Sequence, residues 1–430
     1  MSAATLDRRV VLGWSLYDFA NSAFTTIVVT FIYSAYFSSQ IAPDKELGTA
    51  LWGRAVSLSA ILVALCSPFV GAMADRGGLR KRYLFLTTVV CVLGSVALYF
   101  PQPGDILLAL GIFVVANVAF EMSGVFYNAF LPDIAPHAQI GRISGYGWAL
   151  GYVGGLIALI VGYYVLVAPE TPPFGLDPAT GAHVRATNIL VAAWFALFSI
   201  PMFLWVPERQ VESKESTWVL FRAAAGELKT TLTHLREYRQ IVRLLVAKLV
   251  YNDGLITIFG FGGIYAAGQF GFTFQELFIF GIGLNLAAGL GAWLFGFFDD
   301  RAGGRATVLL SLVGLLIAAV IAVVAPDRTW FWIAGLLVGL LAGPNQSATR
   351  SLMGRFTPAR HESEFFGFFA FSGKFTAFLG PLLLGELTTM FNSQRAGVAV
   401  VIVFFFVGGL LMLRVDEKEG IAASGRHAAA

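Results

Sequence analysis

Five ionisable side chains lie inside long apolar segments of the sequence: Asp18, Glu121, Lys248, Asp253 and Lys374. A charge at the centre of a lipid bilayer costs about 2.5–3.5 kcal/mol on insertion scales, so a residue of this kind is by default a candidate for function. Acids and bases together can bind a solute that carries both an ammonium and a carboxylate group. A desolvated carboxyl group can also bind and release a coupling proton. Asp18 or Glu121 is the expected proton carrier, and Glu121 is preferred.

Helical spacing places further polar residues beside these five. Asn117, Glu121 and Asn128 stand at i, i+4 and i+11 and share one helix face. Similar patches surround Asp18 and Lys248. The predicted substrate-binding or coupling residues are Tyr17, Asp18, Asn21, Ser22, Asn117, Glu121, Asn128, Lys248, Tyr251, Asn252, Asp253, Asn345, Gln346 and Lys374. The alternative is a set of structural ion pairs and interhelical hydrogen bonds, for example between Glu121 and Lys248.

The composition indicates which elements carry these residues. Of the 430 residues, 57% are hydrophobic and only 13% are charged, against about 25% charged in a soluble domain. A helix of about 20 apolar residues crosses the bilayer core. The sequence predicts an all-α membrane protein with twelve spans, near 10–36, 50–74, 83–100, 106–130, 142–168, 188–206, 241–268, 276–298, 306–325, 329–353, 363–391 and 395–414.

Basic residues predict the orientation of the spans. One set of alternate loops and both termini hold 22 Lys and Arg, and the opposite loops hold four. Because cytoplasmic loops retain basic residues, both termini and the central loop are expected in the cytoplasm of a cell whose inner membrane the chain spans. The net charge of +3 therefore reflects topology and does not indicate a nucleic-acid partner.

An internal repeat divides the chain into two halves. Gly71, Asp75, Arg76 and Arg80 follow span 2, and the same residue types recur 225 positions later, after span 8, as Gly296, Asp300, Arg301 and Arg305. Each carboxylate can cap a neighbouring helix or pair with the arginine that follows it. We therefore expect two related six-helix bundles, at 1–206 and 241–430, of the kind that supports alternating access around a site at the midplane.

The segment 207–240 joins the two predicted bundles. Its apolar residues alternate spacings of three and four, which predicts an amphipathic helix lying on the inner leaflet. A solvated connector is the alternative. The apolar stripe consists of Trp218, Phe221, Ala225, Leu228, Leu232 and Leu235.

The repeated loop pattern resembles the cytoplasmic signature of the major facilitator superfamily. The first helix of each half, 13–24 and 251–257, is similar to the vacuole effluxer family of autophagy-related permeases and to its bacterial branch. The resemblance implies the major facilitator fold, a cavity lined by spans 1, 4, 7 and 10, a charge latch at the two loops, and export of amino acids. A vacuolar location is not carried over to the short chain.

We therefore expect a secondary transporter that exports a zwitterion such as an amino acid or small peptide, possesses no cofactor or metal, and acts as a monomer. Its expected partners are the small-molecule substrate, the lipid bilayer and a coupling proton. A sugar or drug transporter of the same fold is the alternative. A membrane enzyme or receptor is a hypothesis from another class, but the five histidines lie outside the predicted spans and show no ligand spacing, and no phosphate-binding loop is present.

Overall fold

The computed structural model describes residues 7–208, 217–234 and 236–425, and within these ranges the chain is helical with short connections. Backbone polar groups in hydrocarbon need hydrogen-bond partners within their own segment, which is why the apolar stretches form helices. Nine helices of the described ranges are long and apolar enough to cross a membrane. Three others contain more polar or charged residues and complete the predicted set of twelve.

The twelve spanning helices are numbered α1 to α12 in chain order. They are α1 Arg8–Ala23, α2 Lys45–Gly77, α3 Arg80–Ala97, α4 Ile106–Ala129, α5 Ile140–Val161, α6 Ala182–Trp205, α7 Arg239–Phe270, α8 Phe274–Ala302, α9 Gly304–Val324, α10 Arg328–Phe356, α11 Glu362–Lys374 with Leu379–Phe391, and α12 Gln394–Val398 with Val400–Met412.

Four of the spanning helices are irregular, among them α5, which passes into a π-helical stretch at Gly162–Val167, and α12, which is interrupted at Ala399. α1 passes into a π-helical stretch at Phe24–Phe31. α11 is interrupted at 375–378, where the amide of Ala377 bonds to the carbonyl of Lys374 at 3.3 Å and the amide of Leu379 bonds to that of Thr376 at 2.7 Å. These shorter turns replace α-helical bonds, so the predicted span 363–391 is present as Glu362–Phe391 but is not a regular α-helix throughout.

The loop motifs lie at one end of the bundle, which we call the motif end, opposite the far end. Each motif contains a turn in which glycine adopts a positive φ, 59° at Gly78 and 93° at Gly303. Other residues are strained in that region of backbone space. The two turns are 225 positions apart in the sequence, so the repeat extends to backbone geometry.

Helix Thr217–Thr233 lies between the halves along the chain. It contacts α2, where Ala224 is buried with Ala72 and Met73. Within the predicted stripe, Ala225 is exposed and Leu228 is half-buried, whereas the side chains of Trp218, Phe221, Leu232 and Leu235 lie outside the described residues. The interfacial location of this helix stays a prediction.

A short C-terminal helix, Glu417–Ala423, packs beneath the second half at the motif end. Glu417 accepts hydrogen bonds from the amides of Gly304 and Arg305 at 3.0 and 2.9 Å, and so caps α9. Hydrogen bonds from Arg239 hold the pKa of Glu419 below its usual value. This segment therefore fastens the beginnings of α7 and α9 together.

Glycines allow the two halves to approach closely at the motif end. A Cβ atom on Gly71 would lie 2.2 Å from the carbonyl oxygen of Ser363, and one on Gly296 would lie 2.9 Å from the Cα atom of Arg142. Such distances are too short for any side chain. The glycines of the repeated motif are therefore required where α2 meets α11 and where α8 meets α5.

The motif carboxylates bind across the same two contacts. Asp75 accepts hydrogen bonds from the amides of Ser363 and Glu364 at 3.0 and 2.8 Å. Asp300 accepts bonds from the amides of Gly141 and Arg142 at 2.9 and 3.2 Å, and a further bond from the Arg142 side chain. Each carboxylate thus lies at the N-terminus of a helix in the opposite half, where the helix dipole favours an anion.

Of the two expected roles of the motif acids, the structure shows helix capping. In the described ranges, Asp75 and Asp300 form ion pairs with Arg80 and Arg142. The arginines that directly follow them, Arg76 and Arg301, are not in those pairs. Arg80 lies 3.3 Å from Asp75 and 2.9 Å from Glu362, and Arg142 pairs with Asp300. Arg305 instead donates to the carbonyl of Leu413 at 3.0 Å within its own half.

Asp75→Asn should favour the conformation that is open at the motif end. Asparagine lacks the charge with which Asp75 binds two amides of α11. A hydrogen bond to a charged group contributes about 1.5 kcal/mol, which is about tenfold in the equilibrium between the closed and the open conformation. The measurement is the maleimide labelling rate of Ser363→Cys, a buried position on this contact, in a Cys66→Ser, Cys91→Ser background.

Asp327→Asn is the matched control for this change. Asp327 also accepts two backbone hydrogen bonds, from Thr329 and Trp330 at 2.8 and 3.2 Å, but it caps its own helix α10 at the far end. The labelling rate should stay near that of the parent protein in Asp327→Asn. Equal labelling rates in the two asparagine variants would show that Asp75 does not hold the halves together.

Candidate functional site

An ion pair between the halves forms the middle of the candidate site. The Nζ atom of Lys374 on α11 lies 2.6 Å from a carboxylate oxygen of Glu121 on α4. Both side chains are partly exposed, 30% for Lys374 and 24% for Glu121. The pairing of Glu121 with Lys248 considered from the sequence is wrong, because Lys374 occupies that carboxylate.

Lys248 on α7 lies beside this pair without an ion-pair partner in the described ranges. Its Nζ donates to the carbonyl of Phe369 at 2.7 Å and approaches Ser372 Oγ at 3.3 Å. The same atom lies 3.9 Å from the centre of the Phe369 ring. A Cβ atom on Gly373 would lie 2.7 Å from this Nζ. Because Gly373 has no Cβ atom, the ammonium group of Lys248 can pack against α11.

Asn252 binds the carbonyl that the interruption of α11 leaves available. Its side-chain amide donates to the carbonyl of Gly373 at 3.0 Å. In an unbroken helix this carbonyl would accept from the amide of Ala377, which here bonds to Lys374 instead. Lys248 and Asn252 therefore support the irregular part of α11 from one face of α7.

A second ion pair joins the halves nearer the motif end. Asp18 on α1 lies 2.9 Å from the Nη1 atom of Arg350 on α10. Arg350 also donates to Asn128 Oδ1 at 3.2 Å, to Ser144 Oγ at 2.9 Å and to the Ser144 carbonyl at 2.6 Å. One guanidinium group thus binds three helices of the first half, a geometry for which its planar fork is suited.

Aromatic rings enclose the Arg350 guanidinium. The ring centres of Trp14, Tyr127 and Trp148 lie 4.8, 5.7 and 5.5 Å from it, at distances typical of cation–π contacts. From the sequence, Arg350 belongs both to the basic residues counted near the cytoplasmic loops and to the polar stripe of α10 with Asn345 and Gln346. It was not included among the predicted substrate-binding residues.

Three predicted residues point into their own half. Tyr17 bonds to Thr88 at 2.6 Å, Tyr251 to Thr349 at 2.8 Å, and Asn345 to Ser311 at 3.0 Å. All three are almost fully buried. In this conformation they fix the positions of α1, α7 and α10 and are not exposed to a solute.

The remaining predicted residues differ in their surroundings. Gln346 accepts a bond from Tyr152 at 3.3 Å across the two halves. Ser22 donates to the carbonyl of Asp18 at 2.7 Å, and Asn21 and Asn117 are buried. Asp253 lies on another face of α7 than Lys248, and its carboxylate accepts from Thr376 at 3.2 Å.

The site is closed toward the motif end. The polar contacts described above between the halves extend from the two motifs, through Arg350, to Glu121 and Lys374. At the far end, a cavity of about 1040 Å³ is lined by residues of both halves, including Tyr36, Tyr163 and Gln275. The arrangement corresponds to one access state of a two-bundle transporter.

Similarity to known sequences agrees with this geometry. Residues 48–425 match the family described as vacuole effluxer Atg22 like. An uncharacterized MFS-type transporter of Bacillus subtilis strain 168, YxiO, is 29% identical over 96% of this chain and 96% of its own length. Autophagy-related protein 22-1 of Penicillium rubens is 24% identical over 87% of this chain and 76% of its own length.

Solved structures share the fold at low sequence identity. The proton:xylose symporter XylE superposes with a TM-score of 0.75 and 13% identity over 98% of both chains. A bacterial homologue of the iron transporter ferroportin, in an outward-facing state, superposes with a TM-score of 0.70 and 12% identity over 94% of this chain and 98% of its own. Family and fold together identify the chain as a multi-pass membrane protein of the vacuole effluxer Atg22-like family, with the major facilitator fold of twelve helices in two bundles.

Proposed function

We propose that this transporter moves a small zwitterion, an amino acid or a small peptide, by alternating access of the site between the halves. The observation that carries the proposal is the partly exposed Glu121–Lys374 pair, one residue from each half, in the middle of the bundle. A zwitterion presents the same two charges. Its ammonium group would bind Glu121, and its carboxylate would bind Lys374.

The charges of Glu121 and Lys374 remain compensated if these residues exchange each other for the charged groups of a zwitterion. Removing one partner from a buried ion pair leaves an uncompensated charge, which costs several kcal/mol. A zwitterion that separates Glu121 from Lys374 supplies a new partner to each, and the two residues pair again when it leaves. Glu121 and Lys374 thereby each keep an oppositely charged partner with and without substrate, whereas a solute carrying a single charge would leave one of the two residues without a partner.

Neighbouring groups would complete the binding of the carboxylate. Lys248 has no acid partner in the described part of the chain, and its ammonium group lies near the same stretch of α11 as Lys374. Asn252 contributes an amide on the same face of α7. Two cations and one amide around one carboxylate resemble the charge-assisted recognition that proteins use for such groups.

We infer the direction and the membrane from separate features. The count of basic residues favours a cytoplasmic location of the motif end, and with that orientation the closed motif end corresponds to an outward-facing state. An exporter releases its solute from that state. Export is supported by the family description as an effluxer. The cell membrane of a bacterium is inferred from the Bacillus subtilis relative, which matches over 96% of both chains.

A sugar transporter is the second candidate, because the proton:xylose symporter shares the fold. A neutral sugar would leave the charges of Glu121 and Lys374 without new partners if it separated them, so the pair favours the zwitterion.

Amino acids, and not sugars, should therefore raise the thermal stability of the detergent-solubilised protein, because a ligand that binds the folded state stabilises it. Lys374→Gln should abolish this stabilisation, since the substrate carboxylate loses the cation that replaces its hydration. The measurement is the unfolding temperature during titration with amino acids, small peptides and sugars.

Arg328→Gln is the matched control for Lys374→Gln. Arg328 pairs with Glu276 at 2.8 Å in the same half, at the exposed far end, where an ion pair contributes about 0–1 kcal/mol. Its response to ligands should equal that of the parent protein. Normal stabilisation of Lys374→Gln by amino acids would exclude the proposed site, and stabilisation of the parent by sugars alone would exclude the substrate class.

Arg350→Lys should slow substrate exchange without a comparable loss of affinity. Lysine keeps the charge opposite Asp18 but lacks the fork that binds Ser144 and Asn128 at once. We expect a rate of exchange in proteoliposomes that is lower by about tenfold, which corresponds to loss of one charged hydrogen bond in the state closed at the motif end.

Arg355→Lys separates this effect from general destabilisation. Arg355 is equally buried on the same helix, but its acid partners Asp299 and Glu417 belong to its own half. If both lysine variants slow exchange to the same extent, Arg350 has no special role in joining the halves.

A further inference from the structure

One buried carboxylate of the spanning helices has no cation beside it. Asp253 on α7 is only 2% exposed, and none of the ion pairs in the described part of the chain includes it. Its Oδ1 atom accepts a single side-chain hydrogen bond, from the hydroxyl of Thr376 at 3.2 Å. A buried ionised carboxylate with one neutral donor is costly, whereas the neutral acid is tolerated in such surroundings.

The charged groups nearest to Asp253 are occupied elsewhere. Lys248, on another face of α7, donates to the carbonyl of Phe369, and Lys374 pairs with Glu121. Arg350 of α10 binds Asp18. The packed segment Val400–Met412 of α12 contains no titratable side chain, and Glu386 lies about 15 Å further along α11 by helical rise.

The hydroxyl of Thr376 can serve both protonation states of Asp253. It lies 3.3 Å from the carbonyl of Leu249 and 3.2 Å from Asp253 Oδ1. With Asp253 ionised, Thr376 donates its hydrogen to the carboxylate. With Asp253 neutral, the carboxylic acid donates to Thr376 Oγ1, and Thr376 turns its own hydrogen to Leu249. The heavy atoms need not move, because a hydroxyl is both donor and acceptor.

A cavity approaches this pair from one helical turn away. Its volume is about 340 Å³, and its lining includes Thr257, Ile258 and Leu384. Thr257 in turn donates to the carbonyl of Asp253 at 2.7 Å. The separation between Asp253 and the cavity is therefore about 6 Å along α7, a distance that one water molecule or a small shift of α11 can bridge.

We propose that Asp253 and Thr376 form the binding site of the coupling proton, a role that rests on the proposed transport function. Thr376 lies within the interruption of α11, two residues after Lys374. A substrate that separates Lys374 from Glu121 therefore displaces the segment that carries the proton-binding hydroxyl. Asp18 and Glu121 are instead occupied in ion pairs with Arg350 and Lys374 in this state.

The proposed cycle balances in protons. From the far side, the Asp253 carboxylate takes up one proton and becomes a neutral carboxylic acid. After the change of access state, that acid returns the proton to the motif side and becomes a carboxylate again. One proton thus moves inward for each cycle, and an exported solute moves in the opposite direction.

Infrared difference spectroscopy tests the protonation of Asp253 without any substrate. The purified protein, taken from neutral to alkaline pH, should lose the carbonyl stretching band of a neutral carboxylic acid. Asp253→Asn should lack this band. Thr376→Val should keep it at a higher frequency, because the acid then lacks its hydrogen-bond partner, and this variant preserves Asp253 itself. Glu121→Gln is the control and should retain the band of the parent protein.

A transport assay then tests whether the proton on Asp253 is coupled to movement of the solute. With an amino acid that stabilises the parent protein, Asp253→Asn should retain exchange of labelled for unlabelled solute but lose acceleration by a pH gradient. A band that persists in Asp253→Asn, or its absence from the parent protein, would overturn the proposal whatever the substrate is. Loss of the band on adding Na⁺ at constant pH would also overturn it in favour of sodium. Failure of every amino acid to bind would instead refute the proposed function and leave the spectroscopic result standing.

Discussion

Capping of a helix N-terminus by a carboxylate of the opposite half is the interaction on which the rest of the structure depends. Asp75 holds the beginning of α11, and Asp300 holds the beginning of α5. Both contacts require the close approach that Gly71 and Gly296 permit. Because each half supplies one acid and one helix terminus, the same geometry occurs twice. The two contacts at the motif end are therefore expected to form together. They fix the relative positions of the polar residues of the two halves that lie further from this end.

The charges inside the bundle form a graded series from this closed end. Arg350 is buried and its partner Asp18 is 15% exposed, whereas Lys374 and Glu121 are 30% and 24% exposed. The first pair is suited to stabilising the closed state, since its desolvated fork makes several bonds at once. The second is suited to exchange with a zwitterion. The interruption of α11 lies beside the second pair and contacts α7, so substrate binding and the shape of α11 are coupled through a few residues.

The fold could be predicted because it depends on patterns within one segment. Hydropathy identified the twelve helices, whereas the repeated motif left open whether Asp75 and Asp300 cap a neighbouring helix or pair with the arginine that follows. Partners within the bundle could not be predicted in the same way. Helical phase places Lys248 and Lys374 on inward faces but does not set the height at which helices from different halves meet, so Glu121 was given the wrong partner. Arg350 follows the polar stripe of α10, yet its distance from the helix end resembles that of a loop residue. The interruption of α11 had a sequence signal that was not used: Pro381 has no amide hydrogen to bond to the carbonyl of Ala377, four residues earlier.

Counterflow in proteoliposomes tests the central claim most directly, because it requires a saturable site that opens alternately to the two sides and no assumption about the energy source. Vesicles loaded with an unlabelled amino acid that stabilises the protein should transiently accumulate the labelled form, and neutral sugars should not compete. Accumulation that sugars inhibit, or that amino acids on the inside fail to drive, would contradict the assignment of Glu121 and Lys374 as a zwitterion site.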